Sequence, residues 1–189
     1  AVRPVAEVYL LSPISYMNGF DAGYKFLWGD SLVKLRAGFG SLNQEINQVN
    51  GTLDFTFDIK SFDATFEKGG SKFRIGYQNF KMDVKNDALE LYDVAMDMLE
   101  ANGVANAALI HDRMQRLDVP TDFISIGYMY DEGGLFVQTE YARREFDSDF
   151  AQSLDGVYFL GGYHFGNVSP YFSVSKLIHR NQAKFPDLD

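Results

Sequence analysis

A period of two in the apolar residues constrains this chain more than any other feature of its sequence. Phe20, Ala22, Tyr24 and Phe26 alternate with Asp21, Gly23 and Lys25, and Val33, Leu35, Ala37 and Phe39 alternate with Lys34, Arg36 and Gly38. The same pattern runs through Phe62, Ala64 and Phe66, then Phe73, Ile75 and Tyr77, then Ile124, Ile126, Tyr128 and Tyr130. It continues in Leu135, Val137, Thr139 and Tyr141, in Val157, Phe159, Gly161, Tyr163 and Phe165, and in Val168, Pro170, Phe172 and Val174. Successive side chains of a strand point to opposite faces, so each segment reads as a strand with one apolar and one mixed or polar face.

The connections alternate in length. Short turns fall at Gly29-Asp30-Ser31, Lys68 to Ser71, Asp131 to Gly134 and Gly166-Asn167, and each joins two strands as a hairpin. Longer polar connections run from Ser41 to Gly51, Asp83 to Asp122 and Asp147 to Asp155. Such a rhythm predicts strands that run up and down, with different loop lengths at the two ends. Between Gly51 and Ser61 the apolar set is odd-numbered (Leu53, Phe55, Phe57, Ile59), and from Phe62 it is even-numbered. A β-bulge near Ser61 is one explanation of this slip, and a hairpin arm projecting beyond the sheet is the other.

One insertion breaks the period. Asp87 to Asn102 has helical spacing, with Ala88, Leu91, Tyr92, Ala95, Met98 and Leu99 on one face and Glu90, Asp93, Asp97 and Glu100 on the other. Asp87 with Glu90 suggests a capping box, Gly103 a C-cap, and Ala107 to Leu117 a second helix stopped by Pro120.

Three features favour a membrane-spanning sheet over a soluble sandwich. The apolar faces carry almost no charge over about ten residues, the length a tilted strand needs to cross hydrocarbon. The other faces are rich in Gly and in both signs of charge. Trp28, Tyr130, Phe136, Tyr163 and Phe165 gather beside the turns, where interfacial girdles would lie. Composition agrees: 17 Phe, 11 Tyr and 17 Gly form a barrel-like mixture. A net charge of -9 argues against a nucleic-acid partner. There is no run of about 18 apolar residues to form a transmembrane helix. The first ten residues lack the apolar stretch of a signal peptide. The expected fold class is all-β, an antiparallel up-and-down transmembrane β-barrel, expected as one domain over 1–189 with a helical insertion over 85–120. A soluble β-sandwich binding domain is the alternative.

Several segments resemble proteobacterial outer-membrane porins. Arg3-Pro4 leading into the Glu7-Val8-Tyr9 strand is similar to the family, as is the Gly-Gly-Tyr-His-Phe-Gly stretch from Gly161 to Gly166 followed by Pro170 and Tyr171. The resemblance covers most of the chain and rests on pattern and phrase. It implies localisation in a bacterial outer membrane and passive diffusion of small polar solutes or ions. Its implied partners are outer-membrane lipid and, in a homotrimer, further copies of the chain. Members of the family are about twice as long and end in a strand with a terminal aromatic residue, which this chain lacks. With about nine strands expected where bacterial barrels have even numbers, the chain is expected to be a fragment of a larger barrel.

In a pore the inward residues carry function. By parity Lys34, Arg36, Arg74, Gln78, Gln138, Glu140 and Arg144 are the candidate pore-lining set. The acidic residues Glu90, Asp93, Asp97 and Glu100 are candidates for a constriction loop that opposes Lys34, Arg36 and Arg74, or for an external loop facing solvent. No catalytic residue, metal site or cofactor is expected. The histidines 111, 164 and 179 are isolated, Cys is absent, and there is neither a G-x-S-x-G nor a G-x-G-x-x-G. A small closed barrel with a structural or adhesive role is the other membrane reading, since Tyr158 and Leu160 would fill a lumen.

Overall fold

The computed structural model describes residues 18–48 and 51–180. They form an eight-stranded antiparallel sheet in up-and-down order. The strands are β1 Asn18–Trp28, β2 Ser31–Gln48, β3 Gly51–Lys68, β4 Ser71–Lys85, β5 Val119–Glu132, β6 Leu135–Phe146, β7 Leu154–Tyr163 and β8 Tyr171–His179. Two helices, α1 Asp87–Ala101 and α2 Ala107–Arg113, lie between β4 and β5. Neither is long and apolar enough to cross a membrane. Among the described residues β1 and β8 are the two edges of the sheet. The strand expected over Arg3 to Tyr9 lies outside the described residues.

Tight turns join β1 to β2, β3 to β4 and β5 to β6 at one end of the sheet. Gly29 and Gly69 hold φ values of 59° and 54°, a conformation that tight hairpin turns require and that L side chains resist. At the other end the expected long connection from Ser41 to Gly51 is replaced by strand. β2 runs to Gln48, β3 restarts at Gly51, and both are 18 residues long. At about 3.3 Å per residue such strands reach about 60 Å.

Of the two explanations for the slip at Ser61, a bulge or a projecting hairpin arm, the bulge is not there. β3 pairs without a slip, with β2 from Leu32↔Glu67 to Gln48↔Gly51 and with β4 from Asp54↔Lys85 to Lys68↔Ser71. The register stays constant, and the apolar residues change face instead.

Residues paired across neighbouring strands share a face, so the register traces each face across the sheet. In the short-turn half one face carries Phe20↔Phe39, Ala37↔Phe62, Phe62↔Tyr77, Ile75↔Ile126, Ile126↔Tyr141, Tyr141↔Val157 and Phe159↔Val174. This apolar belt crosses all eight strands, and nearly all of its large residues are exposed. In the long-strand half the apolar pairs lie on the opposite face: Leu42↔Phe57, Phe57↔Met82, Ile59↔Phe80 and Met82↔Val119. These are buried and form the core with Val84, Phe123 and Phe146. The belt face there turns polar, through Asp58↔Lys81 and Asn79↔Asp122.

The insertion is helical as expected, with three differences. Asn86 is the N-cap in place of Asp87: its side chain accepts from the Ala88 N–H at 2.9 Å and donates to the Thr52 carbonyl at 2.7 Å, tying the helix to β3. The second helix stops at Arg113, short of Leu117. Finally, the expected apolar face does not pack. Leu91, Met98 and Leu99 are exposed, whereas Met96 is buried and Leu89 rests on the core. The side of α1 that turns inward is the one bearing Asp93, because a buried arginine waits there. Gly103 ends α1 as expected, at φ 71°, and its N–H donates to the Glu100 carbonyl at 2.9 Å.

Candidate functional site

All seven residues of the expected lining share one face, the one opposite the apolar belt. One cross-strand row runs through Lys25↔Lys34, Lys34↔Thr65, Thr65↔Arg74, Arg74↔Gly127, Gly127↔Glu140, Glu140↔Tyr158 and Tyr158↔Ser175, and so spans the sheet. The row beside it contains Arg36↔Asp63, Asp63↔Gly76 and Gly76↔Ser125, and the row nearer the short turns contains Glu67↔Lys72 and Gln138↔Leu160. Gln78 and Arg144 lie on the same face toward the long-strand end, where the Arg144 guanidinium sits 4.9 Å over the Phe146 ring.

Diagonal ion pairs stitch these rows together. Arg36 Nε donates to Asp21 at 2.8 Å, and Arg74 Nη2 donates to Asp63 at 2.5 Å. Glu67 lies between two ammonium groups, Lys34 at 2.8 Å and Lys72 at 3.4 Å. Gly76 makes room for this arrangement: a Cβ there would lie 2.9 Å from Ser125 Oγ and 3.1 Å from Asp63 Oδ1. Further along, Tyr158 accepts from Gln138 Nε2 and its hydroxyl lies 3.5 Å from Glu140 Oε2. The expected lining set left out Asp21, Lys25, Asp63, Glu67 and Lys72, which share its face. The signal that could have found them is the same one, since Asp63 and Glu67 alternate with Phe62, Ala64 and Phe66.

Not every expected position holds. Phe136, assigned to the girdle beside Trp28, Tyr130 and Tyr163, lies on the polar face, where it is buried and stacks on His164 at 4.6 Å between ring centres. Its even number on β6 pairs it with Gly162, the one partner small enough to admit the ring. Phe165 lies beyond β7, in a bridge with Val168, with its ring 4.6 Å from that of Tyr163.

Three of the four acids of α1 find partners within their own insertion. Asp93 accepts two hydrogen bonds from Arg116, which is 5% exposed and also donates to the Leu89 carbonyl at 2.5 Å. His111 faces Glu100 at 3.0 Å, Asp93 at 3.5 Å and Asp97 at 3.6 Å. Glu90 is exposed. The hydrogen bond to Glu100, with help from Asp93 and Asp97, raises the His111 pKa, and the Arg116 guanidinium lowers that of Asp93. Asp97, Glu100 and His111 bring three ligand atoms within 4.8 Å of one another, the only such grouping among the described residues. Asp93, Asp97 and Glu100 thus brace the insertion from within, and Lys34, Arg36 and Arg74 pair separately with acids of β1 and β3.

The arrangement amounts to a sheet with an exposed apolar band on one face and rows of alternating charges on the reverse. No family model, curated protein or solved structure matches the chain.

Proposed function

We propose that this sheet is the wall of an outer-membrane β-barrel that lets small polar solutes and ions diffuse through its lumen. The observation that carries the reading is the exposed apolar belt across all eight strands, backed on the reverse face by the ion-paired rows of Lys34, Arg36, Asp63, Glu67 and Arg74. A soluble sandwich would cover such a belt with a second sheet, and the described residues form a single sheet. Hydrocarbon covers it instead, and water fills the charged side. Lining charge then sets selectivity by the electrostatics of close approach.

One observation favours a second reading. Tyr158 is 1% exposed and Leu160 3% on the polar face of β7, as the filling of a narrow, non-conducting barrel would be. Refolding into detergent, then comparing gel migration cold and boiled, tests the membrane assignment; bilayer conductance separates the two readings. A heat-dependent shift with conductance is expected. A shift without conductance gives the closed, structural barrel, and full solubility in plain buffer overturns both.

A further inference from the structure

Lys25 and Lys34 face each other directly across β1 and β2. Like charges in that position destabilise a sheet. Glu67 compensates Lys34 but is shared with Lys72, and no carboxylate among the described residues pairs with Lys25. Around them Arg36 donates its Nε–H to Asp21, and Arg74 donates from Nε and Nη2 to Asp63. In the patch five cations meet three contacting carboxylates, with Glu140 acting on Arg74 from farther along its row, on a chain whose net charge is -9. It borders an open cleft of about 370 Å³, lined by Lys25, Lys34, Lys72 and the hydroxyl-bearing Thr65.

We propose that Lys25, Lys34 and Lys72 form a binding site for a soluble phosphate-type oxyanion. Ammonium groups serve phosphate as point charges, need no planar fork, and gain strength when donor and acceptor are both charged. The bound anion supplies the negative charge that the Lys25–Lys34 pair lacks. The cleft opens on the face opposite the apolar belt, so its ligand comes from water and not from a lipid headgroup. This deepens the channel reading and rests on it for how solute reaches the face: the site is a way-station for phosphorylated or inorganic phosphate solutes at the short-turn end of the lumen.

The test is a calorimetric titration of inorganic pyrophosphate into the refolded chain, in neutral detergent at low ionic strength. Wild type binds, and Lys25→Gln and Lys72→Gln each weaken binding about tenfold or more, the loss expected for one charge-assisted contact. Lys81→Gln, on the other face, leaves affinity unchanged. Without pyrophosphate, Lys25→Gln raises the denaturation midpoint, because it relieves the repulsion with Lys34; a purely structural lysine would lower it. Absence of binding in wild type, unchanged affinity in Lys25→Gln, or a lowered midpoint overturns the proposal. Doping the micelle with anionic phospholipid leaves pyrophosphate binding intact if the ligand is a solute, and competition from the lipid overturns that assignment. Binding is read without any conductance, so a chain that binds but does not conduct keeps the site and loses the channel, and one that conducts without binding does the reverse.

Discussion

Ile59 and Phe62 stand three residues apart on one unbroken strand and point to opposite faces of the sheet, Ile59 3% exposed and Phe62 45%. The step between them marks a change of surroundings along the strand. On the Phe62 side the belt face is apolar and the reverse face is charged. On the Ile59 side the reverse face is a buried apolar core and the belt face is polar. Strands that leave a hydrocarbon layer for water need this inversion, because each face must match its medium at each depth.

A charge placed in the belt measures that medium. Ile126→Arg, in the middle of β5 and exposed, is expected to cost about 2–4 kcal/mol of folding stability in lipid vesicles, the range for arginine at a bilayer midplane. In a water-facing sheet the same change at an exposed site would stay within about 0.5 kcal/mol. Equilibrium unfolding from vesicles distinguishes the two.

Deletion in the core beyond the belt reports on packing. Phe80 is 1% exposed and its ring meets that of Phe57 edge-on at 5.8 Å. Phe80→Ala is expected to destabilise by about 3–5 kcal/mol, since transfer and cavity costs add. Denaturant titration checks this.

The sequence carried the strands because a strict period of two survives any choice of neighbour, and it carried α1 because its polar residues recur at helical spacing. It did not carry the cause of the slip after Ser61: a bulge and a change of face give the same one-residue shift in parity, and only the unbroken pairing of β3 separates them. Nor could it rank the two sides of α1. Leu91 and Met98 look like the packing face until Arg116, far along the chain and buried, claims Asp93. Partners such as Asp63 for Arg74 follow from register, which depends on turn lengths as well as on parity.

Arg116 is the brace of the insertion. Arg116→Met removes the buried donors to Asp93 and to the Leu89 carbonyl and is expected to lower the local opening free energy of α1 by about 1–3 kcal/mol, the cost of leaving partly buried acceptors without these bonds. Amide exchange across α1 reads this directly, and the strand amides of β1 and β2 should not change.

The insertion also has a pH window. His111 has a raised pKa in the fold, chiefly through Glu100, so its contribution is complete below the ordinary imidazole value of about 6.5 and is lost as pH rises through the folded value. Asp93 has a lowered pKa through Arg116, so its contribution is complete above about 3.9 and is lost as pH falls through the folded value. Protease resistance of the α1–α2 segment is expected to peak between these limits. His111→Gln should abolish the alkaline loss and leave the acid loss in place.

The chain contains one tryptophan, and its position makes it the most direct reporter of the belt. Trp28 ends β1 beside the first tight turn, on the belt face and 73% exposed. Its fluorescence in vesicles containing lipids brominated at graded depths is the decisive measurement. An interfacial girdle residue gives blue-shifted emission, quenched most strongly by bromines nearest the headgroups. Emission at the wavelength of a water-exposed indole, unquenched at every depth, would contradict a lipid-facing belt.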